Sequence, residues 1–214
     1  MRFTTLLTTS IPMTMAAAAA VLPRSAPPAL STSTAFKLIA NVLSPNDPLA
    51  INGYELNRFV MNSDTCTNVL ALSPPAEGSR FHATAAPSVW APVTYNSDPA
   101  SAYLTLPRGE GSSTVPAALP VEVNCGAGGT TGVAIAPNAD GVPVLTYGTG
   151  SGGWMACPAA TLGTQVGGDD GAVLVAIRRG GQRLLDGCEE VEFKAVCYGE
   201  KEQEGGEVVE CVVA

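Results

Sequence analysis

Hydrophobic and polar residues alternate in short runs through most of the chain, and Gly, Pro, Asn or Asp bounds each run. In the run at 36–44, FKLIANVLS, Phe36 and Leu38 fall on one face of an extended strand. Lys37 and Asn41 fall on the other face, which is typical of a strand that buries one side. Twelve such runs occur, at residues 36–44, 52–61, 67–73, 80–86, 88–96, 101–107, 119–125, 131–137, 144–148, 153–157, 171–179 and 188–198.

This pattern predicts an all-β fold. The bounding residues favour turns, and no window beyond residue 22 has the apolar spacing of an amphipathic helix. With only 14% charged residues, 23 Gly and 17 Pro, the chain is also poorly suited to long helices. We predict a single-domain antiparallel β-sandwich or jelly-roll-like barrel at residues 35–199.

The first 20 residues are predicted to be a signal peptide. Arg2 precedes an uncharged run from Phe3 to Leu22 that ends in alanines, with cleavage expected between Ala16 and Ala20. An N-terminal membrane anchor is the alternative, although threonines and a proline weaken the run as a membrane span. We therefore expect a secreted protein, extracellular or in the cell wall, with no membrane contact after cleavage.

Two further segments flank the predicted domain. Residues 21–34, VLPRSAPPALSTST, are rich in Pro, Ser and Thr, so a flexible linker and a target for O-glycosylation are expected. Residues 200–214 form an acidic C-terminal tail, for which an added edge strand is an alternative. The net charge of −8 makes nucleic acid and anionic membrane surfaces unexpected partners.

The cysteine content indicates disulfides rather than a metal site. An even number of cysteines in an exported chain predicts three disulfides, and fifteen pairings are open. No Cys-x-x-Cys occurs and His82 is the only histidine, so neither a metal nor another cofactor is expected. The six cysteines are Cys66, Cys125, Cys157, Cys188, Cys197 and Cys211.

Strand geometry excludes one of these pairings. Cys188 and Cys197 begin and nearly end one run, so they lie roughly 30 Å apart at about 3.3 Å per residue. A disulfide needs Cα atoms within about 7 Å. A turn at Gly205 and Gly206 would instead fold the tail back as a hairpin and bring Cys211 to Cys197.

No catalytic centre is predicted. Ser151 lies in GTGSGGW, which lacks the Gly-x-Ser-x-Gly pattern of a nucleophile, and the segment is expected to form a tight turn before the strand of Trp154. His82, on an outer strand, is expected at the surface. Carbohydrate binding would need exposed aromatic side chains; Trp90, flanked by prolines, is expected on an edge strand and Trp154 in the core.

The acidic residues offer two candidate sets for glycoside hydrolysis. Asp169 and Asp170 are adjacent at a glycine-rich loop apex, where they are expected to be solvated and to form a weak calcium site at most. Glu189, Glu190 and Glu192 follow Cys188, and the last two alternate with apolar residues on the outer face of the strand. We interpret both sets as solvated acids of the scaffold.

The order of several short motifs resembles an uncharacterised family of fungal secreted proteins. These motifs are FKLIANV, INGYELNRF, NVLALS, VNCGAGGTTGVAI, YGTGSGGWMACP and LLDGCEEV, spread over residues 36–197. The resemblance implies no established enzyme activity, and some family members are labelled IgE-binding or allergen-like. The chain differs from the family pattern at Tyr54, where Trp is common, at Cys66 and Cys125, and in its acidic tail with Cys211.

The resemblance also implies a disulfide scheme. Cys66 and Cys125 lie where the family lacks cysteine, so they are expected to be partners. Cys157 and Cys188 fall on its recurrent AC and GC positions. The implied pairs are Cys66–Cys125, Cys157–Cys188 and Cys197–Cys211.

We therefore expect a secreted, non-catalytic fungal protein that binds a cell-wall polysaccharide or a host protein, effector-like or allergen-like in role. One alternative is a secreted hydrolase that uses loop carboxylates on polysaccharide. The other is a structural component of the cell wall.

Overall fold

The structure is a computed structural model. It describes residues 28–84, 88–95, 98–107, 111–126, 129–148, 152–164, 171–199 and 206–213. The predicted signal peptide lies outside these ranges.

The described residues form fourteen strands, and the twelve predicted runs correspond to β2 to β13. The strands are β1 (Leu30–Ser33), β2 (Phe36–Val42), β3 (Glu55–Asn62), β4 (Thr67–Ser73), β5 (His82–Thr84), β6 (Ser88–Tyr95), β7 (Asp98–Thr105), β8 (Glu122–Cys125), β9 (Val133–Pro137), β10 (Pro143–Tyr147), β11 (Gly153–Pro158), β12 (Val173–Arg178), β13 (Glu189–Cys197) and β14 (Val209–Val212). Within these ranges the one helical segment is a short 3-10 turn, Ala159–Leu162. No helix of the described chain is both long and apolar enough to span a bilayer.

Six strands close into an antiparallel barrel, which confirms the predicted fold class. The order around the barrel is β2, β3, β4, β12, β11 and β13, and β13 pairs again with β2. Closure joins the two ends of the domain, because Phe36 pairs with Cys197.

A second group of strands extends from the side of the barrel. Strand β4 also pairs with β8, and β7, β6 and β5 follow in order. The chain returns to the barrel where Phe81 pairs with Phe36 at the start of β2. Trp90 lies on β6, which has β5 on one side and β7 on the other, so the prediction of an edge strand for Trp90 was wrong.

Strand β13 has one neighbour on one side and three in succession on the other. Strand β2 pairs with it from Val191 to Cys197. On the opposite side, β11 pairs as far as Val191, β10 pairs at Lys194 and β14 pairs at Val196. Strands β10 and β11 therefore separate at the middle of β13, which opens a gap between them.

Alternation along the strands fills the interior. On β13, Val191, Phe193 and Ala195 are at most 2% exposed, whereas the residues between them are partly exposed, as predicted. Trp154 is 4% exposed and packs edge-on against Phe193, with 6.2 Å between the ring centroids. Each large apolar side chain buried in this way contributes roughly 1.5–3 kcal/mol to folding.

A smaller apolar cluster covers the opposite face of β4, β11 and β12. Met155, Leu174 and Leu162 of the 3-10 turn are among its buried members. The Cys157–Cys188 disulfide lies in this cluster, with 4.2 Å between the Cα atoms. It ties β11 to the turn that precedes β13.

Strands β1 and β14 extend the sheet at both ends of the domain sequence. Leu30–Ser33, within the predicted linker, pairs antiparallel with β14. The predicted hairpin between β13 and the tail was wrong, because β14 runs parallel to β13. Two residues before β14, Glu207 bridges to Ala83 of β5.

Three disulfides join the described strands. Their Cα atoms lie 5.7 Å apart in Cys66–Cys125, 4.2 Å in Cys157–Cys188 and 5.1 Å in Cys197–Cys211. These are the same pairs that the family resemblance implies. Cys188 and Cys197 belong to different bridges, at opposite ends of β13.

Candidate functional site

The gap between β10 and β11 forms a groove with a volume of about 520 Å³. Ligand sites for small molecules in proteins typically have volumes of about 300–1,000 Å³. We call it the β13 groove. Its lining residues are Leu43, Ala136, Asn138, Val144, Leu145, Thr146, Tyr147, Gly148, Gly152, Gly153, Trp154, Glu190, Val191 and Glu192.

Two carboxylates line the β13 groove from one strand. Glu190 and Glu192 are two positions apart on β13, so they share a face and their Cα atoms are about 6.6 Å apart. Glu190 forms an ion pair with the Arg178 guanidinium of β12. Glu192 accepts a hydrogen bond of 3.2 Å from the amide nitrogen of Asn138.

The β9–β10 turn holds Asn138 in a fixed orientation. Its side-chain oxygen accepts hydrogen bonds of 3.0 Å from the N–H groups of Asp140 and Val142. Asx turns of this kind are a common use of asparagine. The amide nitrogen of Asn138 is therefore directed at Glu192, and a donor is presented to the groove.

Aromatic side chains form another part of the lining. Tyr147 and Trp154 meet edge to face with 5.3 Å between their centroids. The Trp154 indole N–H donates to the Leu145 carbonyl at 2.8 Å, and the Tyr147 hydroxyl donates to the Arg178 carbonyl at 2.9 Å. Burial raises the pKa of Tyr147, so its hydroxyl remains a donor at neutral pH.

Two glycines make this arrangement possible. A Cβ atom at Gly152 would lie 2.4 Å from the Tyr147 hydroxyl oxygen and 2.9 Å from the Arg178 carbonyl oxygen. At Gly153 it would lie 3.3 Å from a carboxylate oxygen of Glu190. The glycines before the Trp154 strand therefore leave room for the polar contacts of the groove, a role that the sequence analysis did not predict.

Of the residues weighed for a hydrolytic triad or for the loop pair of carboxylates, His82 is the one that the structure describes. Ser151, Asp169 and Asp170 lie outside the described residues. The prediction of a surface position for His82 was wrong, because it is fully buried and its Nδ1 lies 2.8 Å from the Thr34 carbonyl oxygen. Burial lowers the pKa of His82, which favours the neutral imidazole.

Glu189 is separate from the groove, and the interpretation of Glu189 as a solvated acid was wrong. It is 5% exposed and points to the side of β13 opposite Glu190. Burial, and then the nearby Asp47 carboxylate, raise the pKa of Glu189. The part of the chain that the structure describes contains no group of three or more His, Cys, Asp or Glu side chains that could hold a metal ion.

Glu190, Glu192 and Trp154 were recognisable as candidates in the sequence, but their partners were not. Asn138 and Tyr147 reach the groove, and Arg178 reaches Glu190, through the pairing of β10 and β12 with distant strands. The PNADG turn at 137–141 was the one available signal, because Asn in such a turn orients its own side chain.

Comparison with known proteins gives one match. No curated protein and no solved structure matches the chain. A family model described as "Domain of unknown function (DUF7907)" matches residues 33–197, from just before β2 to the end of β13. The match covers the whole closed barrel and most of the chain, so the protein belongs to this family of domains of unknown function.

Proposed function

We propose that the protein is a secreted, non-catalytic binding protein whose β13 groove holds a saccharide. The observation that carries this proposal is the combination, in one groove, of two carboxylates, an oriented amide and two aromatic rings. Saccharides present many hydroxyl groups, which donate to carboxylates and accept from amides. Their C–H faces pack against aromatic and apolar side chains such as those of Tyr147 and Leu43.

The dimensions of the groove favour a short saccharide unit over a large protein surface. A volume of about 520 Å³ accommodates a ligand of one or two sugar rings. Leu43, 48% exposed, extends an apolar surface at the rim. A polysaccharide chain would then place one or two of its units in the groove.

The biological setting belongs to the same proposal. We propose an extracellular or cell-wall location in a fungus, with an effector-like or allergen-like role toward a host. The three disulfides are compatible with an oxidising compartment. The predicted signal peptide and the family resemblance support the rest.

A substitution that fills the groove tests the binding. Ala136 of β9 lines the groove, and Ala134, two residues earlier on the same face, does not. We expect Ala136→Phe to abolish binding to an array of cell-wall oligosaccharides, and Ala134→Phe to retain it. Each variant would first be compared with the wild type by circular dichroism.

Either of two outcomes would contradict the proposal. Binding by the wild type that is unchanged in Ala136→Phe would place the saccharide elsewhere on the protein. If the wild type bound no oligosaccharide on the array, a saccharide would be ruled out as the ligand.

The second candidate is a polysaccharide hydrolase, and the pair Glu190 and Glu192 in one groove is the observation that favours it. Glycosidases place two carboxyl groups on either side of the scissile bond. Here both carboxylates project from one strand face, and Arg178 engages Glu190. Release of reducing ends that Glu190→Gln or Glu192→Gln abolishes would establish the hydrolase; we expect none.

A further inference from the structure

We infer that the ligand of the β13 groove carries a cationic amine beside its hydroxyl groups, and that Glu192 binds this amine. The inference rests on the proposed saccharide-binding function and names the class of saccharide, an amino sugar with its amine free. It follows from the balance of charges around the groove.

The two carboxylates of the groove are not equivalent. The charge of Glu190 is offset by the Arg178 guanidinium, which also donates to the Gln182 carbonyl at 3.1 Å and is thereby held in place. Glu192 has the neutral amide of Asn138 as its partner. Of the two groove carboxylates, Glu192 is therefore the one without an ion-pair partner among the described residues.

The cation on the same strand face, Lys194, lies two residues beyond Glu192 and forms no ion pair with it among the described residues. A carboxylate has about four lone-pair positions, and the Asn138 amide uses one. Glu192 can accept further hydrogen bonds from a donor that enters the groove.

A protonated amine satisfies this environment better than a hydroxyl group. A charged donor forms a shorter and stronger hydrogen bond to a carboxylate than a neutral one. The partly exposed Tyr147 ring lines the same groove, and aromatic faces attract cations. The net charge of −8 on the whole chain adds a long-range attraction for a cation.

Two matched probes test the inference. Oligosaccharides of glucosamine and of N-acetylglucosamine, equal in length and linkage, would be titrated calorimetrically at a pH where the free amine is protonated. We expect the glucosamine probe to bind about tenfold more tightly, the difference between a charged and a neutral hydrogen bond. Rising salt concentration should reduce this preference.

Variants test whether Glu192 causes the preference for the glucosamine probe. Glu192→Gln should make the affinities of the two probes equal, and Glu192→Asp should retain part of the difference. Glu210→Gln on β14 removes the same charge from an exposed position outside the groove and should leave the preference unchanged.

The outcomes separate this inference from the proposed function. Equal affinity of the wild type for both probes, or a preference that survives in Glu192→Gln, would overturn the inference while saccharide binding stands. If neither probe binds but Ala136→Phe still abolishes binding of a neutral oligosaccharide, the inference is overturned alone. If no saccharide binds, both are overturned.

Discussion

Two buried glutamates show how the surroundings of a carboxyl group set its effect on stability. Glu55 and Glu189 are 7% and 5% exposed. Burial by itself would raise the pKa of Glu55, but hydrogen bonds from the Lys37 ammonium and from backbone N–H groups, including that of Gly78, lower it overall. Burial and Asp47 raise the pKa of Glu189. The fold therefore favours the charged form of the first and the neutral form of the second.

Replacement by glutamine should have opposite effects at these two positions. At pH 7 we expect Glu55→Gln to lower the free energy of unfolding by about 1–3 kcal/mol, because Lys37 loses its charged partner. We expect Glu189→Gln to raise it by about 1 kcal/mol, because no buried charge remains. Urea denaturation measures both. Equal signs for the two variants would contradict these assignments.

Glu55 and Glu189 should also make the stability of the wild type depend on pH, in opposite directions. Glu55 contributes stability that is present above its unfolded pKa, near 4.5, and is lost as pH falls through its lower folded value. Glu189 binds its proton more tightly in the folded state, so stability falls as pH rises from about 4.5 through its higher folded pKa. Glu189→Gln should abolish the loss of stability with rising pH and leave the loss of stability at low pH, which Glu55 causes, unchanged.

At the scale of elements, β1 and β14 form a two-stranded ribbon outside the barrel. Among the described strands, β1 pairs with β14 alone. Strand β14 is joined to β13 by one parallel pairing position and by the Cys197–Cys211 disulfide. Cys211 itself is fully buried in the main core. Val209 also packs against this core, and Glu207 just before β14 bridges to Ala83, so the disulfide is one of a few attachments of the ribbon.

Removal of that disulfide should loosen the ribbon without opening the barrel. In Cys197→Ser/Cys211→Ser we expect faster hydrogen exchange at the amides of β1 and β14, with Val191 and Phe193 of β13 still protected by β2. Loop closure over 14 residues predicts a loss of about 3 kcal/mol. Cys157→Ser/Cys188→Ser is the control, since it should leave exchange in β14 unchanged. Uniform acceleration throughout β13 would contradict the separation of ribbon and barrel.

The local sequence pattern predicted the strands and which of their faces are buried. The neighbours of each strand, and with them the groove, depend on long-range pairing. The alternation in β13 placed Phe193 inward and Glu192 outward because side chains on a strand alternate with a period of two. Nothing local specifies which strands lie beside β13, and the groove depends on that arrangement. The same is true of the parallel course of β14 and of the burial of His82.

At the scale of the whole molecule, the disulfides connect parts of the chain that lie far apart in sequence. Cys66–Cys125 spans 59 residues and joins β8 to the turn before β4. Cys157–Cys188 spans 31 residues and joins β11 to the approach to β13. The third disulfide, Cys197–Cys211, joins β13 to β14, so each of the three disulfides cross-links a different region of the fold.

Peptide mapping of the non-reduced protein should recover three linked pairs and no free thiol. The expected pairs are Cys66–Cys125, Cys157–Cys188 and Cys197–Cys211. A peptide that joins Cys66 to any other cysteine would be incompatible with the fold described above.

The pairing of Phe36 with Cys197 also has a consequence for how the chain folds. The barrel closes only when a strand from the start of the domain meets one from its end, so the loop closed in this step contains most of the domain. Contacts this distant in sequence slow folding, because a large loop entropy is lost before the contacts form. An emerging chain cannot complete the barrel until residue 197 has been synthesised. Until then β2 and β11 each lack their β13 partner, so those strands are the ones that are open to mispairing.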